Sequence, residues 1–403
     1  MAADPERDSG RRGPAAGEPD WLGLWPLDPG VTFLNHGSFG ACPRAVLAEQ
    51  TRWREAMETD PVRFLYRDLE GRLDAARAAL GRFVGAEADD LAFVTNATTG
   101  VNTVLQSLDF APGDELLVTD HGYNACRNAV ERVAARSGVR VVVARVPFPL
   151  ASPEAVVASV LDAVTPRTRL ALVDHVTSPT GLVWPIECVV RELAARGVET
   201  LVDGAHAAGM LPLDLTALGA AYYTANCHKW ICAPKGSGFL HVRRDRQGMI
   251  RPLVVSHGAN SPRTERSRFR LEFDWMGTGD PTAYLAVPVA IAYMGGLLAG
   301  GWPALMARNR ETALAARRQL GQALGVPAPA PDSMIGSLAS LPLPEALGDP
   351  ALLQRALFDR FGIEALAFAW PSPAVRILRV SAQLYNAPGD FARLAAVIRS
   401  LAG

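Results

Sequence analysis

Between about residues 75 and 250, short apolar runs alternate with stretches of helical periodicity, and this alternation restricts the fold more than any other feature. Runs at 91–95, 115–119, 140–144, 170–174, 199–203, 221–224 and 238–242 read as strands. Stretches at 153–164 and 187–196 read as two of the intervening helices. Strands that are apolar on both faces and separated by helices form an α/β fold, a mostly parallel seven-stranded sheet sandwiched by helices. Polar residues suited to chemistry fall at the carboxyl ends of these runs: Asn96, Asp120, the segment from Asp174 to Ser178, Asp203, and the segment from Asn226 to Lys229. Ligands of such sheets gather along that edge.

The pattern changes after residue 280. A long helical stretch at 302–324, a proline-rich turn at 327–331, and then short strands and helices read as a smaller α+β domain. The chain divides into a polar tail at 1–30, expected to be flexible, a large domain at 31–280 whose N-terminal part is expected to reach the small domain, and a small C-terminal domain at 281–403. The tail has no apolar signal core. The stretch 283–301 is as apolar as a membrane span, but Pro288 and four glycines interrupt it, so it reads as a buried core or interface helix. A net charge of −1 points to neither nucleic acid nor a membrane surface as a partner. The five cysteines are odd in number, and Cys227 and Cys232 beside His228 lack the second ligand pair of a zinc site. Reduced thiols in a cytoplasmic protein are the simpler reading.

Only two of the 40 cationic side chains are lysines, Lys229 and Lys235. An amine can lose its proton and attack a carbonyl, whereas a guanidinium with a pKa above ~12 cannot. Lys229 follows a strand-like run, where a Schiff-base lysine belongs; Lys235 reads as a local loop charge and His257 as a loop hydrogen-bonding residue.

Three features converge on a phosphorylated, electron-withdrawing cofactor. Asn96-Ala97-Thr98-Thr99-Gly100 opens a helix with free amides and two hydroxyls, which makes an anion site. Asp203, with His206 three residues on, places a carboxylate where it can keep a pyridine nitrogen protonated. His228-Lys229 ends the next strand, and consecutive strands tend to lie side by side. Neither a G-x-G-x-x-G after the first strand nor a G-x-x-x-x-G-K-[ST] occurs, which argues against a nucleotide-binding enzyme. A regulator of DNA would need an added module for which the short tail leaves no room.

The segments Leu34-Asn35-His36-Gly37-Ser38-Phe39-Gly40, Asn96-Ala97-Thr98-Thr99, Asp203-Gly204-Ala205-His206, Asn226-Cys227-His228-Lys229-Trp230, Gly277-Thr278-Gly279-Asp280 and Arg379-Val380-Ser381-Ala382 together resemble a known family. The chain from about residue 30 onward resembles class V, fold-type I enzymes that depend on pyridoxal 5'-phosphate, and within them the isopenicillin N epimerase-like group. The resemblance implies that Lys229 forms the Schiff base and that Asp203 meets the pyridine nitrogen. It gives His206 and Ser178 to the ring hydroxyl and Tyr123 to the ring face, where much of class V has histidine. Thr98, Thr99, Asn226 and His228 would hold the phosphate, closed by Gly277 and Thr278 of a neighbouring subunit in a homodimer with shared active sites. Arg379 would bind the carboxylate of an amino-acid substrate, with Asn35 and His36 as further substrate contacts. Arg376 competes with Arg379, but residues three apart on a strand face opposite ways, so only one of them points into the site.

In such an enzyme the freed lysine removes the α-proton of the amino acid. Return of a proton on the other face is epimerisation, the expected activity; loss of a β-substituent would make a C–S β-lyase, and protonation on the cofactor an aminotransferase. Cysteine desulfurases need a cysteine well beyond the lysine, and the last one here is Cys232. Tyr123, His36 or a cysteine could supply the second acid, and nothing in their spacing selects among them.

Overall fold

The computed structural model describes residues 19–402. Its main sheet comprises β1 (Leu91–Val94), β2 (Glu115–Thr119), β3 (Arg140–Ala144), β4 (Thr168–Asp174), β5 (Glu199–Asp203), β6 (Tyr222–Asn226) and β7 (Gly238–Val242). The spatial order is β1-β7-β6-β5-β4-β2-β3. Only β7 runs against its neighbours, pairing antiparallel with β1 and β6; the other pairs are parallel. The mostly parallel sheet expected from the sequence is therefore the observed one. Its strands bury both faces. Ala92, Val94, Leu116, Val118, Leu172 and Leu201 enter one apolar layer, while Phe93, Leu117, Ala171, Val173 and Val202 alternate into the other.

Helices cover both faces. Helix Ala97–Ser107 begins at Asn96, whose side chain accepts the Thr99 N–H at 2.9 Å, and it buries Val101, Val104 and Leu105 at helical spacing. Helix Ile186–Ala194 buries Ile186, Val189, Val190 and Leu193 in the same manner. Arg77 is 1% exposed and donates to Asp74 at 3.0 Å and to Asp274; Arg270 joins the same carboxylates. This network ties helix Leu69–Val84 to helix Arg268–Phe273, just ahead of Gly277 and Thr278.

The C-terminal part forms a three-stranded antiparallel sheet from β8 (Leu338–Pro342), β9 (Leu366–Ala369) and β10 (Arg376–Ser381), in the order β9-β10-β8. Helices Gly301–Leu324, Pro350–Phe361 and Pro388–Ala402 accompany it. Residues Thr32 and Phe33 pair in parallel with Ile363 and Glu364, so the start of the described chain is woven into this part.

Two sequence expectations need comment. Residues 1–18 of the expected tail lie outside the described residues, but its later part is not loose. Trp25 is 1% exposed, its indole N–H donates to the Ala41 carbonyl at 3.2 Å, and Trp21, Leu22, Leu24 and Leu27 pack against the same cluster. Two tryptophans within a polar stretch were the signal, since aromatic burial outweighs the glycine and proline around it. The apolar stretch 283–301 breaks into Thr282–Leu285 and Val287–Gly296, with Ala286, Val287, Ala290 and Met294 buried. No single described helix is long and apolar enough to cross a membrane.

Candidate active site

A cavity of about 680 Å³ opens at the carboxyl ends of the main-sheet strands. Gly37, Ser38, Thr119, Tyr123, Ser178, Lys229 and Arg379 line it, together with an apolar wall of Leu366, Phe368, Trp370 and Pro371 from the small domain. Lys229 follows β6 and borders the cavity. Its Nζ lies 3.0 Å from Nε2 of His206. The Trp230 indole N–H donates to His206 Nδ1 at 3.5 Å, which puts the ring proton on Nε2 and aims it at the lysine lone pair. Loss of solvent, followed by the positive charge of Arg379, lowers the Lys229 amine to about 7. Burial, with Lys229 next, holds His206 well below the usual histidine value, so it stays neutral.

Asp203 ends β5, buried behind the cavity. Its Oδ1 accepts the Ala205 N–H at 2.9 Å and its Oδ2 accepts the Cys126 thiol at 3.1 Å. Tyr123 precedes helix Asn124–Ser137 and borders both the main cavity and a small one beside Asp203. Cys126 was not singled out from the sequence. Its position one helical turn after Tyr123 was the available signal.

Arg379, in the middle strand of the small sheet, is 3% exposed. It donates to the Ser178 carbonyl, to Ser178 Oγ at 3.3 Å and to Ser38 Oγ at 3.2 Å, and its Nε is without a partner. No carboxylate pairs with it among the described residues. Burial lowers it to about 10. A guanidinium so placed, beside a cavity, is suited to an anion, because desolvating it without a counter-charge is costly. Arg376 does not line the cavity.

Asn35 and His36, expected as substrate contacts, do not line the cavity, and their polar atoms have partners within the protein. Asn35 donates to Glu364 at 3.2 Å and accepts from Ser38 Oγ at 2.6 Å. His36 sits against the Tyr385 hydroxyl at 2.8 Å and donates from Nε2 to the Lys229 carbonyl at 3.0 Å. Burial lowers His36 to about 3, which keeps it neutral. Gly37, Ser38 and Phe39 of this motif reach the cavity, and Ser38 is the one that brings a hydroxyl there. Lys235 donates to the Gly40 carbonyl at 2.8 Å and borders a separate cavity with Cys42.

Thr98, Thr99, Asn226 and His228 do not line the main cavity. Asn226 Oδ1 accepts the Ala97 N–H at 2.8 Å, which docks β6 onto the helix start. Thr99 Oγ1 is 2.8 Å from Thr95 Oγ1, and His228 Nδ1 donates to the Ser237 carbonyl at 3.1 Å. Gly277 and Thr278 are exposed and are not brought to the site within one chain.

Residues 43–345 match the aminotransferase class-V family. The chain belongs to the aminotransferase class-V family. An isopenicillin N epimerase from Amycolatopsis lactamdurans is 40% identical over 389 residues, covering 93% of this chain and 96% of that relative. One from Streptomyces clavuligerus is 37% identical over 401 residues, 95% and 99% of the two chains. A probable chloroplastic L-cysteine desulfhydrase from Arabidopsis thaliana is 31% identical over 404 residues, 93% and 83%. Among solved structures, a C-DES lysine-to-alanine mutant with glycine covalently linked to its PLP cofactor superposes with a TM-score of 0.81 at 24% identity, covering 94% and 98%. This class-V chain thus has the fold-type I architecture. Its donor set fits pyridoxal 5'-phosphate: a lysine whose amine is lowered to about 7, a buried carboxylate held by two donors, and a helix start with two threonines.

Proposed function

We propose that the protein is a pyridoxal-phosphate-dependent amino-acid epimerase of the isopenicillin N epimerase type. The observation that carries this reading is the pairing of Lys229, a base lowered to about 7, with the unpaired Arg379 in one cavity of about 680 Å³. That volume lies in the range of ~300–1,000 Å³ that receives ligands much larger than cysteine. The two epimerase relatives, matched over nearly their whole lengths, support it further.

Bound pyridoxal phosphate would supply an electron sink for the α-carbanion. Lys229 would hold the cofactor and Asp203 would face its ring nitrogen. Thr98, Thr99, Asn226 and His228 would surround its phosphate, with Gly277 and Thr278 of a second copy completing the site in a homodimer. Arg379, held in place by Ser38 and Ser178, binds the substrate carboxylate in bidentate fashion. Lys229 takes the α-proton, its basicity matched to neutral pH. Of the candidates for the opposing acid, Tyr123 alone lines the cavity; His36 is fully engaged, and burial pushes the thiols of Cys126, Cys227 and Cys232 up. The same burial argues against a desulfurase, which requires a reactive thiolate. Unpaired cysteines fit a cytoplasmic location.

The desulfhydrase relatives make C–S β-lysis the second reading, since it shares the proton abstraction. Candidate amino acids offered in deuterated water separate the two. Deuterium at Cα with inversion supports epimerisation, whereas pyruvate with a sulfur product rejects it in favour of lysis. The Lys229→Ala protein should lack the visible absorption that the wild type acquires with pyridoxal phosphate.

A further inference from the structure

A second buried carboxyl lies beside Asp203, and none of the roles above uses it. Asp174 ends β4 as Asp203 ends β5, and the two are register partners on adjacent parallel strands. Such neighbours project to one face of the sheet, with their strands about 4.8 Å apart. On that face Leu172 and Leu201 meet Cys126 and Val130 of helix Asn124–Ser137. Asp174 is 5% exposed and Asp203 4%. Both border the small cavity, whose volume of about 10 Å³ admits no more than a single water.

Two carboxylates at that spacing, with so little solvent, cannot both carry charge, so one keeps a proton. The surrounding donors decide which. Asp203 receives the Ala205 N–H and the Cys126 thiol, and both favour its ionised form. Burial raises the Asp203 carboxyl as well, but these two donors and the nearby positive charge of Lys229 act against that rise. No ion pair reaches Asp174 among the described residues, and burial, followed by the charge of Asp203, pushes its carboxyl well above the usual range. Arg127, the remaining charged residue at the small cavity, is engaged with Glu131 at 2.8 Å.

We propose that Asp174 is a positioning residue: a neutral carboxylic acid that keeps the pair's single proton and leaves Asp203 as the one negative charge where the cofactor ring is received. The half of this inference that concerns the ring rests on the role of Asp203 proposed above; the protonation of Asp174 does not.

Infrared spectra of the cofactor-free protein at neutral pH, wild type minus Asp174→Asn, test the proton directly. A protonated-carboxyl C=O band that shifts in deuterated water is expected in the wild type, and its absence overturns the proposal. Urea stability against pH is an independent readout. A carboxyl raised in the folded state binds more protons folded than unfolded, so its contribution falls as pH climbs above the unfolded value of about 4. The stability of Asp174→Asn relative to wild type should therefore increase from about pH 4 to pH 8, and a constant difference would refute the assignment. Asp174→Thr, smaller and also neutral, serves if the asparagine variant does not fold. For the ring, Asp203→Asn should weaken pyridoxal phosphate binding about tenfold or more, and Asp174→Asn by less. Equal losses would show that Asp174 is itself charged and sink the proposal. Unaltered binding by Asp203→Asn would reject the ring assignment, while the infrared band would still decide the proton.

Discussion

At the scale of the residue, Lys229 and Arg379 explain each other. Burial first and the Arg379 guanidinium next lower the lysine amine to about 7, and in our proposal a substrate carboxylate that neutralises Arg379 withdraws the second influence just when a stronger base is useful. The rate at which the cofactor-free protein captures pyridoxal phosphate should rise through about pH 7 and then level off, because the neutral amine is the reactive form. Arg379→Ala should move that rise to higher pH, read by stopped-flow absorbance. Arg379→Met should cost about 2–5 kcal/mol in substrate binding, seen as a higher KM, while raising the melting temperature of the substrate-free protein. The chemical role of Lys229 was legible in the sequence as a rare amine at a strand end, and that of Arg379 through the family resemblance. Their mutual influence was not, because 150 residues of chain separate positions 229 and 379.

At the scale of the element, the short segment from Asn35 to Gly40 is a brace for the lysine turn. His36 donates to the Lys229 carbonyl, and Gly40, at φ 72°, passes so close to His228 that a Cβ there would lie 2.0 Å from its carbonyl oxygen. Gly40→Ala should therefore destabilise the protein by about 3 kcal/mol or more in urea unfolding and also slow cofactor capture. A polar motif near the start of a resemblance reads naturally as a binding loop. Here its two most polar residues are spent on structure and Ser38 faces the cavity, a distinction that depends on which way each side chain points. Strands were easier to read. The runs at 115–119, 140–144, 199–203 and 238–242 match β2, β3, β5 and β7 residue for residue; in β2, β5 and β7 near-continuous burial on both faces leaves a sharp apolar signature, and edge strand β3, only partly buried, still carries three consecutive valines. β4 begins earlier than its apolar run, at Thr168, where the exposed Arg169 masks the pattern.

At the scale of the whole molecule, the site is assembled from parts remote in sequence and, in our proposal, from two copies of the chain. Gly277 and Thr278 are exposed, and Phe39, Val62 and Tyr66 are large exposed apolar residues of the kind that interfaces cover. Sedimentation should give twice the mass of one chain, and Thr278→Ala should weaken cofactor binding although the residue touches no site in its own subunit. A monomer with full cofactor affinity would refute this. By itself the sequence determined the alternating α/β architecture, the strand-end edge where polar residues gather, and the amine and carboxylate found there, because periodicity and residue chemistry are local properties; Arg379 was named through the family resemblance. Only the tertiary structure placed Asn35 and His36 off the cavity wall, with His36 bonded to the Lys229 carbonyl. It also decided that Cys126 and Asp174 attend Asp203 and that Arg379, not Arg376, faces the cavity. Those outcomes depend on side-chain direction and on contacts between distant segments, neither of which is encoded in spacing along the chain.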